Sequence, residues 1–290
     1  MMGSAPCAAP SSGEEGEVYL ARVIVLTSGK GGVGKTTSAA AIAAGLALRG
    51  KRTVVIDFDV GLRNLDLVMG AERRVVFDLI NVVHGVAKLQ QALIRDKRLE
   101  NLWLLPASQT RDKDALTNEG VGRIIAELRT KFDWILCDSP AGIERGAMLA
   151  MRYADEAVIV TNPEVSSVRD SDRIIGMLDS KTVKAERGER VAKHVLITRY
   201  DPARAARGEM LSIDDILEIL ATPLLGIIPE SQDVLRASNV GCPVTLNNVT
   251  SAPARAYVDA ARRLMGETVD MTVPAERRGL MNRLLGRRAA

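Results

Sequence analysis

The sequence has 290 residues, of which 47% are hydrophobic and 26% are charged, and its formal net charge is +3. This composition is typical of a globular protein with a large buried core, and the length allows one or two domains. It has no apolar run near the roughly 20 residues of a transmembrane helix, and its net charge is too small to indicate a nucleic-acid binder.

The N-terminal end and the cysteines restrict the function classes further. Residues 1–20 lack the basic and apolar regions of a signal peptide, and we predict that they form a disordered extension. Cys7, Cys137 and Cys242 lie far apart without a CxxC pair, which disfavours a zinc site or a disulfide framework. This use of cysteine is typical of a reducing cytoplasm.

Short Val/Ile/Leu-rich runs alternate with helical stretches along the chain. The predicted strands are residues 22–28, 53–57, 102–106, 134–138, 157–161, 192–198 and 224–228. The predicted helices are residues 36–49, 120–131, 145–153, 168–178, 212–220 and 252–264. This alternation predicts an α/β fold, a doubly wound and mostly parallel sheet that binds ligands at the carboxyl ends of its strands. We expect one domain over residues 21–266, followed by a linker over residues 267–275.

A glycine-rich phosphate-binding pattern lies between the first predicted strand and the first predicted helix. Its residues are Gly29, Lys30, Gly31, Gly32, Val33, Gly34, Lys35, Thr36 and Thr37. Glycines let phosphate oxygens approach backbone N–H groups, and the start of the helix directs its positive dipole end at the anion. In this P-loop pattern Lys35 neutralises the β- and γ-phosphates, and the Thr36 hydroxyl ligates Mg²⁺. The context therefore predicts an ATP site.

Carboxylates end two further strands. Asp57 and Asp59 follow the apolar run 53–56, and Asp138 ends the run 134–137 in the way that a Walker B aspartate does. P-loop enzymes need such an aspartate to hold Mg²⁺ or its waters, so we expect this role for Asp138. An aspartate at a strand end is also a common turn residue, and this alternative stays open for Asp57.

Together these motifs resemble the deviant Walker A (ParA/MinD-like) ATPases. The matching stretches are residues 28–37, with the additional Lys30, and residues 57–66, 73–75, 105–113, 138–144, 162–172 and 279–286. The resemblance implies the SIMIBI type of P-loop fold, with ATP and Mg²⁺ as cofactors. It places the chain nearest the branch that positions the division septum.

The resemblance also implies roles for individual residues. ATP binding would form a homodimer in which Lys30 reaches the phosphates of the other subunit and Asp170 lies at the interface. Asp59 would act on the attacking water, Asp57 would support the metal site, and Arg199, Pro229 and Glu230 would enclose adenine. Asp170 also begins a predicted helix, where an acidic residue favours the dipole without any function.

The C-terminal residues 276–290 carry the basic excess of the chain. Five arginines against one glutamate give them a net charge of +4, so the remainder is near −1. At 100° per residue, one face of a helix here carries Leu280, Met281, Leu284 and Leu285. We predict a short amphipathic helix that binds an anionic membrane surface. On pattern alone, a helix docked on the core is an alternative.

The family's partners are the division inhibitor MinC and the hydrolysis activator MinE. The resemblance therefore implies a cytoplasmic protein that attaches peripherally to the cytoplasmic face of the inner membrane, without specific nucleic-acid binding. The alternatives are a ParA-type ATPase that partitions DNA or protein cargo, an iron–sulfur carrier of the same fold, and a small-molecule kinase. The cysteine positions disfavour the carrier, and no acceptor-substrate motif supports the kinase.

Overall fold

The computed structural model describes residues 21–109 and 115–274. Its strands form one sheet of eight strands in the order β3-β4-β2-β5-β1-β6-β7-β8. All neighbouring strands are parallel except β3 and β4, which are antiparallel. The strands are β1 Arg22–Thr27, β2 Thr53–Asp57, β3 Ile94–Arg95, β4 Leu102–Leu105, β5 Trp134–Asp138, β6 Glu156–Thr161, β7 Ala192–Tyr200 and β8 Leu224–Pro229.

The helices of the described residues include all six that the sequence predicts and several short ones that it does not. They are α1 Lys35–Leu48, α2 Leu65–Val68, α3 Leu79–Val83, α4 Leu89–Ala92, α5 Asn118–Arg129, α6 Arg145–Arg152, α7 Val165–Lys181, α8 Val183–Glu186, α9 Pro202–Ala206, α10 Ile213–Leu220, α11 Gln232–Asn239, α12 Val244–Asn247 and α13 Ala252–Leu264, with a 3₁₀ turn at Glu72–Arg74. None of them is long and apolar enough to cross a bilayer.

The strands are buried on both faces, which confirms the doubly wound interpretation. Alternate residues of β1 enter different cores, because successive side chains of a strand point to opposite faces. Ile24 and Leu26 pack with α1 and α13 on one side, while Val23 and Val25 pack with α5 and α6 on the other. The parallel order brings the carboxyl ends of β1, β2, β5 and β6 to one edge of the sheet.

Helices α5 and α13 begin at residues whose side chains cap them. Thr117 accepts a hydrogen bond from Gly120 N at the start of α5, and Ser251 accepts one from Ala254 N at the start of α13. Such caps satisfy backbone donors that lack helical partners. At α1 no side chain caps the helix, and its first residue follows Gly34. The first N–H groups of α1 therefore have no side-chain cap where the helix continues the P-loop.

Candidate functional site

The P-loop connects β1 to α1 and is held from two sides. Gly32 and Gly34 have φ angles of 76° and 95°, which residues with a side chain rarely adopt. The hydroxyl of Thr198, at the end of β7, donates to Val33 O at 2.6 Å. Gly142 N, in the loop after β5, donates to Ser28 O at 2.9 Å. A side-chain hydrogen bond from β7 and a backbone hydrogen bond from the loop after β5 thus hold this loop.

Gly29 lies against Asp170 in the first half of α7. A Cβ added at Gly29 would overlap both the Cβ and the backbone of Asp170, whereas one added at Gly31 would meet only Ala141 at 3.9 Å. Only glycine fits at position 29 without movement of α7. The structure therefore places Asp170 directly beside Gly29 of the P-loop.

Lys35 is buried at the start of α1, and only 8% of its surface is exposed. Burial lowers the pKa of its amino group, while the carboxylates of Asp138 and Asp59 act in the opposite direction. A lysine in this position gains from any additional anion, because burial penalises its charge. Its place at the start of α1 suits the phosphates of a nucleotide.

Asp57 and Asp138 are the last residues of β2 and β5 and lie opposite each other in the sheet. Both are about 1% exposed. Burial, together with the charge of Asp138, raises the pKa of Asp57, although backbone N–H groups of Asp59 and Leu65 donate to its carboxylate. Burial also raises the pKa of Asp138 to about 7, despite the opposing effects of Thr36 and Lys35.

These carboxylates fit a divalent cation. The Oδ1 atom of Asp138 is buried and has no hydrogen-bond partner among the described residues. Oxygen atoms from carboxylates and hydroxyls are the ligands that Mg²⁺ prefers, and a cation would compensate the negative charge that burial disfavours at both carboxylates. The sequence-predicted residues Thr36, Asp57 and Asp138 therefore meet at one place.

A cleft of about 290 Å³ continues from the P-loop to the ends of β7 and β8. Thr37 and Gly34 line its inner end, and Arg199, Pro229 and Glu230 line its outer end. Arg199 has a φ of 53°, in the left-handed region that non-glycine residues seldom enter. The predicted base-enclosing residues thus belong to the same cleft as the P-loop.

Lys30 forms an ion pair that the sequence does not indicate. Its Nζ lies 2.7 Å from Glu164 Oε2 and 3.2 Å from Ser166 Oγ. Hydrogen bonds from Lys30, against a small opposing effect of burial, lower the pKa of Glu164. Both side chains of the pair are about half exposed, so solvent screens it. Asp170 is not the partner of Lys30 in this structure, although it contacts the adjacent Gly29.

Two supporting residues escape prediction from sequence alone. Thr198 closes the P-loop from β7, and Glu164 precedes α7, yet each lies more than 130 positions from its partner. The only sequence signal is that Glu164 belongs to the stretch 162–172. Cys137 is buried in β5, and burial raises the pKa of its thiol, which disfavours a cluster-ligand role. Leu280, Met281, Leu284 and Leu285 lie outside the described residues.

Comparison with known proteins supports this site. Residues 24–244 match the CobQ/CobB/MinD/ParA nucleotide binding domain family. The chain is 62% identical over 271 residues to the septum site-determining protein MinD of Neisseria meningitidis serogroup B, covering 92% of this chain and 100% of that one.

Solved structures of similar proteins have the same fold. MinD in the MinC:MinD cell division complex of Aquifex aeolicus is 42% identical, with a TM-score of 0.79 over 88% of this chain and 100% of that chain. The septum site-determining protein MinD of Pyrococcus horikoshii, complexed with Mg-ADP, is 31% identical, with a TM-score of 0.74 over 84% of this chain and 96% of that chain.

Three observations lead to one assignment. They are the sequence identity over the length of these relatives, the P-loop between β1 and α1, and the paired aspartates beneath that loop. The chain belongs to the MinD family of P-loop ATPases, which determine the site of the division septum.

Proposed function

We propose that this ATPase binds ATP with Mg²⁺ at residues 29–37 and uses the nucleotide to control its own attachment to an anionic membrane. The observation that carries the proposal is the buried Asp138 Oδ1 atom beside Asp57 and Lys35, beneath a glycine-rich loop. Buried groups of this kind require compensating charge. Lys35 would bind the β- and γ-phosphates, and Thr36, Asp57 and Asp138 would hold the cation or its waters.

The metal would neutralise charge at the phosphates, and the protein would position the nucleotide. Gly29, Gly31, Gly32, Val33 and Gly34 would present backbone N–H groups, and Thr37 would contact the phosphate next to the ribose. Arg199, Pro229 and Glu230 would enclose the base, because they line the outer end of the same cleft. The Mg-ADP complex of the Pyrococcus horikoshii relative supports this assignment.

Asp59 and Lys30 would act in hydrolysis. Asp59 follows the buried Phe58, and its charge acts on both Lys35 and Asp138, so it lies at the phosphate end of the site. A carboxylate there can orient the attacking water. Lys30 would reach the phosphates of a second subunit, as an arginine finger does, an effect worth about 10³–10⁵ in rate.

The face of the structure around Lys30 supports dimerisation on ATP binding. In the single chain Lys30 is paired with Glu164. Two exposed apolar side chains lie nearby, Ile143 in the loop after β5 and Val165 at the start of α7. A second subunit placed against this face would cover these apolar side chains and bring Lys30 to its phosphates. Asp170, beside Gly29, would lie within that interface.

The membrane step would use residues 276–290. Four apolar side chains with flanking arginines bind a bilayer weakly, since each contributes roughly 1.5 kcal/mol on full burial while ordering costs about 1–2 kcal/mol per residue. Two tails on one dimer gain avidity of about 10²–10⁴. ATP-driven dimerisation would therefore become membrane attachment at the cytoplasmic face.

The partners follow from the family. The Aquifex aeolicus structure contains MinC bound to MinD, and we propose that the ATP-bound dimer of this chain likewise recruits MinC. A MinE protein would stimulate hydrolysis and release the dimer from the membrane. A ParA-type role in partitioning is not favoured, because the 62% identical relative that the chain covers completely is a septum site-determining protein.

Calorimetric titration of ATP in Mg²⁺ tests the nucleotide site. Lys35→Ala removes charge-assisted hydrogen bonds worth about 1.5–3 kcal/mol each, so we expect affinity to fall at least tenfold. Lys193→Ala is the matched control, because Lys193 pairs with Asp179 at the opposite end of the sheet. Equal ATP affinity in the wild type and Lys35→Ala would exclude the site.

A further inference from the structure

A second cavity, of about 340 Å³, lies among helices α5, α6, α7 and α8. Its lining residues are Asn118 of α5, Arg145, Met148, Leu149 and Arg152 of α6, Ser180 and Lys181 of α7, and Glu186 of α8. Leu149 belongs to the core on the face of the sheet opposite α1 and α13. Among the described residues, the cavity shares no lining residue with the nucleotide cleft. It is therefore a separate space.

The lining of this cavity is mostly cationic. Two arginines and one lysine face a single carboxylate, that of Glu186. Asn118 and Ser180 add an amide and a hydroxyl, and Met148 and Leu149 add an apolar surface. Cations and neutral donors around an apolar surface suit an anionic group attached to an organic body.

Arg152 is the side chain that an anion could engage most readily. Its two terminal nitrogens lie 2.8 and 3.2 Å from the carboxylate oxygens of Glu186. The side chain of Glu186 is 53% exposed, so solvent screens this pair and it contributes little to stability. The Nε atom of Arg152 is buried and has no hydrogen-bond partner in the part of the chain that the structure describes. A stronger anion could therefore displace Glu186 at a small cost.

Lys181 supplies a second cation that is not committed to a partner. It is the last residue of α7, it is exposed, and it forms no ion pair with any described residue. A lysine at the end of a helix also favours the helix dipole, so its charge alone would not indicate a site. Its place on the wall of the cavity that Arg152 also lines does indicate one.

Phosphate monoesters match this lining. Such a group carries about −1.5 to −2 charges near pH 7 and three oxygen atoms that accept hydrogen bonds, and arginine and lysine bind it well. The cavity volume is at the lower end of the range of about 300–1,000 Å³ for ligand pockets, so the cavity fits a molecule of metabolite size.

We propose that this cavity binds a small phosphate monoester. The phosphate lies between Arg152 and Lys181, where it replaces Glu186 as the partner of the arginine, and the organic body covers Met148 and Leu149. The proposal concerns a ligand other than ATP, and it does not depend on dimerisation or on membrane attachment.

Glycerol 3-phosphate is the probe that tests this site. It is titrated into the ¹⁵N-labelled full-length chain, in Mg²⁺ and with saturating ADP to occupy the P-loop. We expect saturable NMR shifts of amides in residues 145–152 and 180–186, with a dissociation constant near about 1 mM, which two or three charge-assisted hydrogen bonds support. Glycerol, which has the same body without the phosphate, should cause no such shifts.

Two substitutions of exposed residues should change the affinity in opposite directions. Lys181→Ala removes one charge-assisted hydrogen bond and should weaken binding at least about tenfold. Glu186→Gln removes the competing carboxylate and should strengthen binding at least about threefold. Lys97→Ala is the matched control, since Lys97 is likewise exposed, lies between β3 and β4, and should leave the affinity unchanged.

Three results would overturn the proposal. The first is the absence of saturable shifts in residues 145–152 and 180–186. The second is an equal response to glycerol, and the third is an affinity that neither Lys181→Ala nor Glu186→Gln changes. Shifts confined to the P-loop belong to the first result, because they would place the phosphate at the nucleotide site alone.

Discussion

Asp57 and Asp138 face each other across neighbouring parallel strands, and both carboxylates are buried beneath the P-loop. Burial disfavours ionisation of both carboxylates, and for Asp57 the charge of Asp138 adds to the effect. The same pair supplies the oxygen atoms that a divalent cation needs. The nucleotide-free protein therefore contains a site whose charge is balanced only when its ligand is bound.

This relationship predicts an unusual dependence of stability on pH. Burial raises the pKa of Asp138 to about 7, whereas an unfolded aspartate titrates near 4. Between about pH 4 and 7 the folded chain holds more protons than the unfolded chain, so this residue lowers the free energy of unfolding as the pH rises. Above pH 7 its effect is constant.

Asp138→Asn should therefore stabilise the metal-free protein increasingly from pH 5 to 7, by roughly 2–4 kcal/mol at the plateau. Urea unfolding in EDTA at four pH values between 5 and 8 measures this difference. In the control Asp133→Asn the change in the free energy of unfolding should not grow over this range. Hydrogen bonds from Arg52 outweigh burial and lower the pKa of Asp133. A flat difference for Asp138→Asn would show that Asp138 is already ionised.

The P-loop glycines predict a contrast between two substitutions of the same size. Gly29→Ala forces a methyl group into Asp170 and should destabilise the nucleotide-free protein by about 1–3 kcal/mol. In Gly31→Ala the added methyl group meets only an ordinary contact, so the stability of the nucleotide-free protein should be nearly unchanged. The same methyl group should lower the affinity for ATP, because it obstructs the approach of the phosphates. Thermal unfolding and calorimetry separate the two effects. Equal destabilisation would refute the close approach of α7 to Gly29.

Lys30 and Asp59 should separate dimer formation from hydrolysis. Asp59→Ala should retain ATP and dimerise but hydrolyse at least about 10²-fold more slowly, because it loses the residue that orients water. Lys30→Ala should impair dimerisation and turnover together, because its cation acts between subunits. Light scattering with ATP, beside phosphate release, measures both. Normal turnover in both variants would contradict the deviant Walker A mechanism.

The fold could be predicted from sequence because its strands are continuous apolar runs bounded by turn residues. All seven predicted strands are present, and α13 has the predicted bounds. β3 was missed, since two residues carry no periodicity, and α11 was missed because its apolar face is short. Helix α7 begins at Val165 rather than at residue 168, which places Glu164 before it.

The site was predictable only where the chemistry is local. The P-loop and the acids that end β2 and β5 follow from motifs, whereas the Lys30–Glu164 pair joins residues 134 positions apart. Residues 267–274 illustrate the same limit. Their polar composition indicates a linker, but Arg263 donates to the carbonyls of Val269 and Asp270 in this segment and to that of Leu225 in β8, 38 positions away. Such contacts depend on tertiary packing and leave no pattern in a single sequence.

The proposed anchor predicts that one charge in the apolar face of the tail removes membrane attachment. Leu284→Glu should reduce sedimentation with anionic liposomes in ATP at least tenfold, because both tails of a dimer lose a buried apolar contact. Nucleotide binding at the P-loop should be retained. High salt should weaken the wild type only partly, since ions screen the arginines and not the leucines.

The most direct test of nucleotide-controlled attachment is sedimentation of the wild-type chain with anionic liposomes in ATP, in ADP and without nucleotide, all with Mg²⁺. We predict that the protein sediments with the liposomes in ATP and remains largely in the supernatant in the other two conditions. Equal sedimentation in all three conditions, or none in any of them, would contradict the account.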